Sequence, residues 1–436
     1  MNILLKDIDI YTGDDSKPFI KNGNIGIKDD CIEFIGDASE VDMSFKADKT
    51  ISGAHKIAMP GLINTHTHCA MTIMRNFAND LELHEWLFNN VFPVEARLTN
   101  DDIYWGTMLA AAEMIRTGTT AFADMYLDME AVARAAKMSG MRANLSISPL
   151  KFNAGENGET VDETQKVFEF YKQWNNSCDG KIKMTLEVHS TYLFDKTNLI
   201  DAAKMAKQLG VGIQIHISET KREIEESLAK YGKTPVEMCQ ECGILDVPVI
   251  AAHCVHLTDN DMDILKAYDV SVAHNPTSNL KLGSGIAEVP KMLKKGINVT
   301  IGTDGPASNN NLNMFEEMHI GSLIHKGISY NSKLVSASDI LKMTTSNGAK
   351  AIGFEGITGT LKKGAKADVI IIDTNKAHIC PVNDPVAALV YSVHGSDVET
   401  VIVNGNILME KGQLTTIDEE LVMAKVREIA KRVIKA

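Results

Sequence analysis

Between Met59 and Gly356, short apolar runs recur every few tens of residues with helical segments between them, and this rhythm leaves few folds open. The runs are Pro60–Asn64, Thr119–Asp124, Arg142–Ser148, Lys183–Val188, Gly212–Ile217, Val247–Ala252, Val270–Ala273 and Asn298–Ile301. Asp101–Arg116 and Ala131–Met138 are two of the intervening segments with helical periodicity. A helix between strands carries the chain back to begin the next strand in the same direction, so the alternation predicts a parallel sheet. Eight such units predict a closed, TIM-like (β/α)8 barrel.

The ends of the chain have a different texture. Asn2–Ile10, Asn24–Ile27 and Cys31–Ile35 read as short half-buried strands, and Ala367–Ile372 and Val398–Gly405 repeat the pattern late in the sequence. Neither end is long enough to bury a core alone. The expected organisation is therefore a small β-sandwich-like unit built from residues 1–58 and 357–436 around a barrel at 59–356. A helix from about Ile417 is expected to pack on that unit.

Charge and composition remove several function classes. Forty-four Lys and Arg against 57 Asp and Glu leave a net charge of −13, which disfavours nucleic acid as a partner. No apolar run reaches the ~18–20 residues of a membrane helix, and Met1–Asp15 lacks the pattern of a signal peptide. Seven cysteines, an odd number, point to reduced thiols and a cytoplasmic location. No phosphate-cradling glycine loop or dinucleotide fingerprint is present.

The residues that close the runs carry the chemistry. Run one leads into His66-Thr67-His68, and alternation on a strand turns both imidazoles into the barrel mouth. His189, His216 and His253 follow runs four, five and six, and Asp304 follows run eight. The C-terminal rim of a barrel is where such enzymes place their reactive groups. A single histidine at a strand end is commonly a hydrogen-bonded core residue, but five imidazoles and an aspartate on one rim predict a metal centre. Nitrogen ligands with one carboxylate suit zinc, with iron as the alternative. Cys239 and Cys242 form a lone CxxC in a helical stretch and are read as core packing, as are the 21 methionines. His84, His256, His319, His325, His378 and His394 fall outside the strand-end pattern, and His274, which ends run seven, is not assigned to the site.

Pro60-Gly61-Leu62-Ile63-Asn64-Thr65-His66-Thr67-His68, Ile215-His216-Ile217-Ser218-Glu219, Gly302-Thr303-Asp304-Gly305 and the segment Asn275–Leu282 resemble motifs of the amidohydrolase superfamily. Within it the sequence resembles the 5′-methylthioadenosine/S-adenosylhomocysteine deaminase family over nearly its whole length. The resemblance implies a hydrolytic deaminase of adenosine-type nucleosides that releases ammonia. It implies His66, His68, His216 and Asp304 as ligands of one divalent metal per chain. Two-metal members use a modified lysine at the end of strand four, where this sequence has His189. Glu219 is implied as the proton shuttle and His253 as the group that stabilises the developing tetrahedral centre. Trp86, Glu95 and His189 are implied as substrate contacts, joined by Glu219 and Asp304.

The residue types suit those roles. A carboxyl at Glu219 can protonate N1 and then the departing amine. Asp304 can accept the proton of the attacking water, and His253 can stabilise developing charge. A carboxylate at Glu95 can accept hydrogen bonds from both hydroxyls of a ribose diol. The loop after run three, Leu145–Phe152, has no arginine for the amino-acid tail of S-adenosylhomocysteine, and Lys151 lacks the bidentate fork. The rival reading is another hydrolase of the same barrel: a guanine, cytosine or triazine deaminase, or a chlorohydrolase. Homo-oligomeric assembly is expected on general grounds.

Overall fold

The structure is a computed structural model that describes residues 1–37, 45–152 and 160–434. Eight parallel strands pair in chain order: Leu62–Thr67, Thr119–Met125, Arg142–Ile147, Ile182–Ser190, Gly212–Ile217, Val249–His253, Ser271–His274 and Asn298–Ile301. This is the eight-unit barrel that the apolar rhythm predicts. Side chains tie the first strand to the eighth. Thr65 Oγ1 donates to the Ile301 carbonyl at 2.9 Å, and the Asn64 amide both donates to Thr303 Oγ1 (2.8 Å) and accepts from the Thr303 N–H (3.0 Å).

The helix Asn100–Arg116 begins at a capping box, where the Thr99 N–H donates to Asp102 and the Asp102 N–H returns to the Thr99 hydroxyl. It follows the long excursion after strand one, in which Leu83–Trp86 and Phe92–Glu95 flank a π-helical turn, Leu87–Val91. Wide turns of this kind are frequent at functional sites. No helix among the described residues is long and apolar enough to cross a membrane.

Both termini build a second sheet. Its order runs Gln413–Leu414, Asn406–Glu410, Val398–Val403, Val369–Asp373, Lys56–Pro60, Ile3–Tyr11, Phe19–Lys28 and Cys31–Gly36, with Lys49–Ser52 pairing alongside Ile3–Tyr11. The two halves meet where Lys56–Pro60 runs antiparallel to Val369–Asp373. Ile3, Leu5, Ile25, Ile27, Val369, Ile371 and Ile402 share its buried face. A buried ion pair joins this sheet to the barrel: Arg142, on barrel strand three, bonds both Asp368 oxygens and Asn404 Oδ1 (2.8 Å).

Two local expectations are corrected. Run one, read as a single strand Pro60–Asn64, belongs to two sheets: Lys56–Pro60 ends the terminal sheet and Leu62–Thr67 starts the barrel. Continuous apolarity cannot show where a buried chain changes sheet. The C-terminal helix, Glu419–Ile434, packs on barrel helix Asn100–Arg116 and on the turn Cys69–Met74 instead of on the terminal sheet. Arg116 pairs with Glu419 and Arg432 with Asp102, which fixes that docking.

Candidate active site

The barrel rim brings His66, His68, His216 and Asp304 together. The His68 and His216 Nε2 atoms are 3.2 Å apart, and Asp304 Oδ1 lies 3.2 Å from His68 Nε2 and 3.5 Å from His66 Nε2. Ligand atoms 2.0–2.1 Å from a tetrahedral ion are separated by ~3.3 Å, so these edges match such a cage. The tautomers fit as well. His68 Nδ1–H donates to the Met125 carbonyl (2.6 Å) and His216 Nδ1–H to the His189 carbonyl (2.8 Å), leaving both Nε2 lone pairs turned inward. His66 is fully buried and neither ring nitrogen has a hydrogen-bond partner, which is costly unless a cation takes the lone pair.

Asp304 is oriented by its neighbours. Its Oδ2 accepts from Ser278 Oγ (2.6 Å) and Ser308 Oγ (2.9 Å), and Oδ1 accepts from the Gly305 N–H (2.7 Å). Burial opposes charge on Asp304, but the His66 and His68 rings beside it hold it ionised, well below the usual carboxylate range. Burial likewise keeps His66 neutral, down to about 4, and pushes His216 down. It works the same way on His68, yet the Asp304 carboxylate outweighs it and raises that ring to about 9. The Asp304 carboxylate thus favours positive charge at His68 Nε2, where a proton and a metal ion would compete for the same lone pair.

Glu219 and His253 flank the cluster. His253 Nδ1–H donates to Asn279 Oδ1 (2.8 Å), and its Nε2 lies 3.8 Å from Glu219 Oε2. Glu219 is 4% exposed, and burial raises its carboxyl above the usual range against the pull of His253. The Glu223 carboxylate accepts from the Ser218 N–H (3.1 Å) and the Glu219 N–H (2.8 Å), fixing the chain where the shuttle is expected. Ser218, His253 and Asp304 adopt left-handed backbone, with φ of +54°, +73° and +62°. Strain of this kind, about 1–3 kcal/mol per residue, concentrates at functional sites.

One pocket holds the remaining sequence-predicted residues: Trp86, Glu95 and His189 line it together with His68, His216, Glu219, His253 and Asp304. Trp86 is 6% exposed and Glu95 7%, and burial raises Glu95 to about 7. Tyr126 and Glu187 line the same pocket and were not anticipated from sequence. Glu187 stands two residues before His189 on the same strand face, so alternation alone marks it. Its Oε2 has no hydrogen-bond partner, and burial pushes it up to about 8. Arg142, bonded to Asp368 and Asn404, is committed to the terminal sheet. The Lys151 and Phe152 side chains lie outside the described residues. His274 turns to His325, 3.4 Å away, on the helix Met314–Ile328. A larger cavity, about 800 Å³, lies between that helix and residues 393–398 and contains none of the expected site residues. Cys239 and Cys242 are free and buried, as core packing requires.

Residues 57–408 match the amidohydrolase family, and the chain belongs to that family. It is 57% identical to the 5-methylthioadenosine/S-adenosylhomocysteine deaminase of Acetivibrio thermocellus, with all of both chains aligned. It is 48% identical to the protein of the same name from Caldanaerobacter subterraneus subsp. tengcongensis, over all of this chain and 99% of that one. Among solved structures, an adenosine deaminase from Xanthomonas campestris with bound zinc superposes with a TM-score of 0.94 at 28% identity, covering 100% of this chain and 99% of that one.

Proposed function

We propose that this chain is a metal-dependent hydrolase that removes the 6-amino group of adenosine-type nucleosides, giving the inosine analogue and ammonia. The candidate substrates are 5′-methylthioadenosine, S-adenosylhomocysteine and adenosine. The observation that carries the reading is one pocket with an ion-matched His/Asp cage, a raised carboxyl at Glu219 and a buried carboxyl at Glu95. The full-length relatives named as deaminases of the first two nucleosides support it.

His66, His68, His216 and Asp304 would hold one divalent ion, zinc or alternatively iron. When bound, such an ion acts as a Lewis acid and brings the pKa of water to about 7. The rest follows from the chain's own groups. Glu95 accepts the ribose hydroxyls, while Trp86 walls the apolar side and His189 bonds the base. Glu219, whose carboxyl burial raises, gives a proton to purine N1 as water attacks C6. Asp304 takes the proton of that water, and a proton on His253 Nε2 would steady the charge developing on the attacking oxygen. The proton held by Asp304 then passes through Glu219 to the amine, the C6–N bond breaks as the C6 hydroxyl gives its proton back to Glu219 and becomes the carbonyl, and ammonia departs.

The same proposal treats 59–356 as the catalytic unit and 1–58 with 357–436 as its support. It also takes the enzyme to be a cytoplasmic homo-oligomer that binds neither nucleic acid nor membrane. Incubation with a panel of nucleosides, free bases and triazines, followed by ammonia detection, tests the function. Release from adenosine-type nucleosides is expected. Turnover confined to guanine, cytosine or triazines would replace this reading with the rival hydrolase.

A further inference from the structure

We propose that His378, His394 and Asp397 form a second divalent-metal site, on the surface of the terminal unit and separate from the barrel rim. His378 Nε2 lies 2.8 Å from Asp397 Oδ2, and the two imidazole rings stack with centroids 4.8 Å apart and planes 16° apart. One donor atom from each of the three residues falls within 4.8 Å of the other two. Two imidazoles and a carboxylate suit zinc, cobalt, nickel or copper(II), whereas magnesium and calcium favour all-oxygen sites.

The donors are presented by two constrained turns. Asp397 is 4% exposed, and its Oδ2 accepts the His394 N–H at 2.8 Å, so the carboxylate is aimed before any ion arrives. Gly395, between them, is pressed against the barrel: a Cβ there would sit 2.7 Å from Thr117 Cγ2 and 2.8 Å from Asn313 Oδ1. On the opposite side, the Ile379 and Cys380 N–H groups both donate to the Lys376 carbonyl, at 3.1 and 3.0 Å, and buried Ile379 anchors that turn beside His378. The neighbouring cation, Lys376, is bonded to Asp373 at 3.1 Å. Both histidines are exposed and open to an ion from solution. The donor edges of a tetrahedral site are ~3.3 Å, and the 2.8 Å edge between His378 and Asp397 is close to that value while both rings are exposed and can turn.

An ion held there staples the segment after Val369–Asp373 to the turn before Val398–Val403, so it stabilises the native state by mass action. It also changes how metal counts are read, because an extra equivalent need not mean a two-metal barrel.

The test is zinc uptake at saturation, by equilibrium dialysis and elemental analysis, on the full chain and on a His378→Ala/His394→Ala variant. The expected result is one equivalent fewer in the double variant, with a zinc-dependent rise in unfolding temperature that is smaller than the parent's by the share of the lost equivalent. His378→Gln alone should weaken the uptake of that equivalent, and circular dichroism of both variants checks that the fold is kept. Equal zinc stoichiometry in the parent and the folded double variant would overturn the proposal and leave a simple hydrogen-bonded His–Asp pair.

Discussion

The Asp304 N–H donates to the His66 carbonyl at 3.0 Å, so the chain just beyond the eighth strand is bonded to the end of the first through main chain. Their side chains face each other as well, with Nε2 and Oδ1 3.5 Å apart. Closing the barrel and assembling the candidate cage are therefore linked, and an ion bound there would stabilise the fold.

Metal content follows from that geometry. In the His378→Ala/His394→Ala background, elemental analysis should find about one equivalent of zinc or iron per chain. Stripping it with a chelator should lower the unfolding temperature. Two equivalents in that background would argue for a binuclear centre.

Glu219→Gln leaves the four cage residues untouched and should keep its metal. Turnover should fall by the ~10²–10⁴-fold typical of losing a general acid–base group. A variant with near-parental kcat would move the shuttle to another residue.

Glu95 should give the rate a pH dependence. Burial raises its carboxyl to about 7, so it ionises as pH climbs through neutrality. If the ionised form grips the ribose, kcat/KM should rise across that range, and Glu95→Gln should flatten the rise. The stability effect has the opposite sense. The folded state keeps the proton up to about 7 while the unfolded chain releases it near 4.5, so Glu95 stabilises the fold fully below 4.5 and progressively less between those values.

Substrate choice turns on an absent arginine. The loop from Ser146 to Phe152 has none, and Arg142 is held by Asp368. Losing one partner of a buried charge pair costs about 2–5 kcal/mol, which corresponds to tens to thousands of fold in kcat/KM. 5′-Methylthioadenosine and adenosine should therefore be used at least as well as S-adenosylhomocysteine. A tenfold preference for the latter would show that a cation reaches the tail from elsewhere.

The Arg142–Asp368 pair should dominate the cohesion of barrel and terminal sheet. Asp368→Ala leaves a guanidinium buried without its counter-charge and should cost about 3–5 kcal/mol in denaturant unfolding. Arg142→Met with Asp368→Leu should cost much less, since both charges leave together.

Much of the candidate site was legible because its residues follow strand alternation and strand ends. His66 and His68 had to share a face once Leu62–Thr67 was a strand, and every other cage residue stands at or just past a strand end. Trp86 and Glu95 were accessible only through resemblance, since nothing local announces that an irregular excursion folds back over the rim. Glu187 was overlooked because carboxyls inside a strand ordinarily read as solvent-facing. Lys49–Ser52 was missed because four residues are too few to show alternation.

The left-handed turns at Ser218, His253 and Asp304 bear on how such a sequence can drift. Glycine would relax the backbone at each. At Ser218 that change surrenders only a hydroxyl without a hydrogen-bond partner, so folding and turnover would tolerate it together. At His253 and Asp304 the same change would improve the local backbone while erasing a side chain that the proposed mechanism uses. Selection for a sturdier fold and selection for a working enzyme thus pull in opposite directions at those two positions and are nearly indifferent at the first.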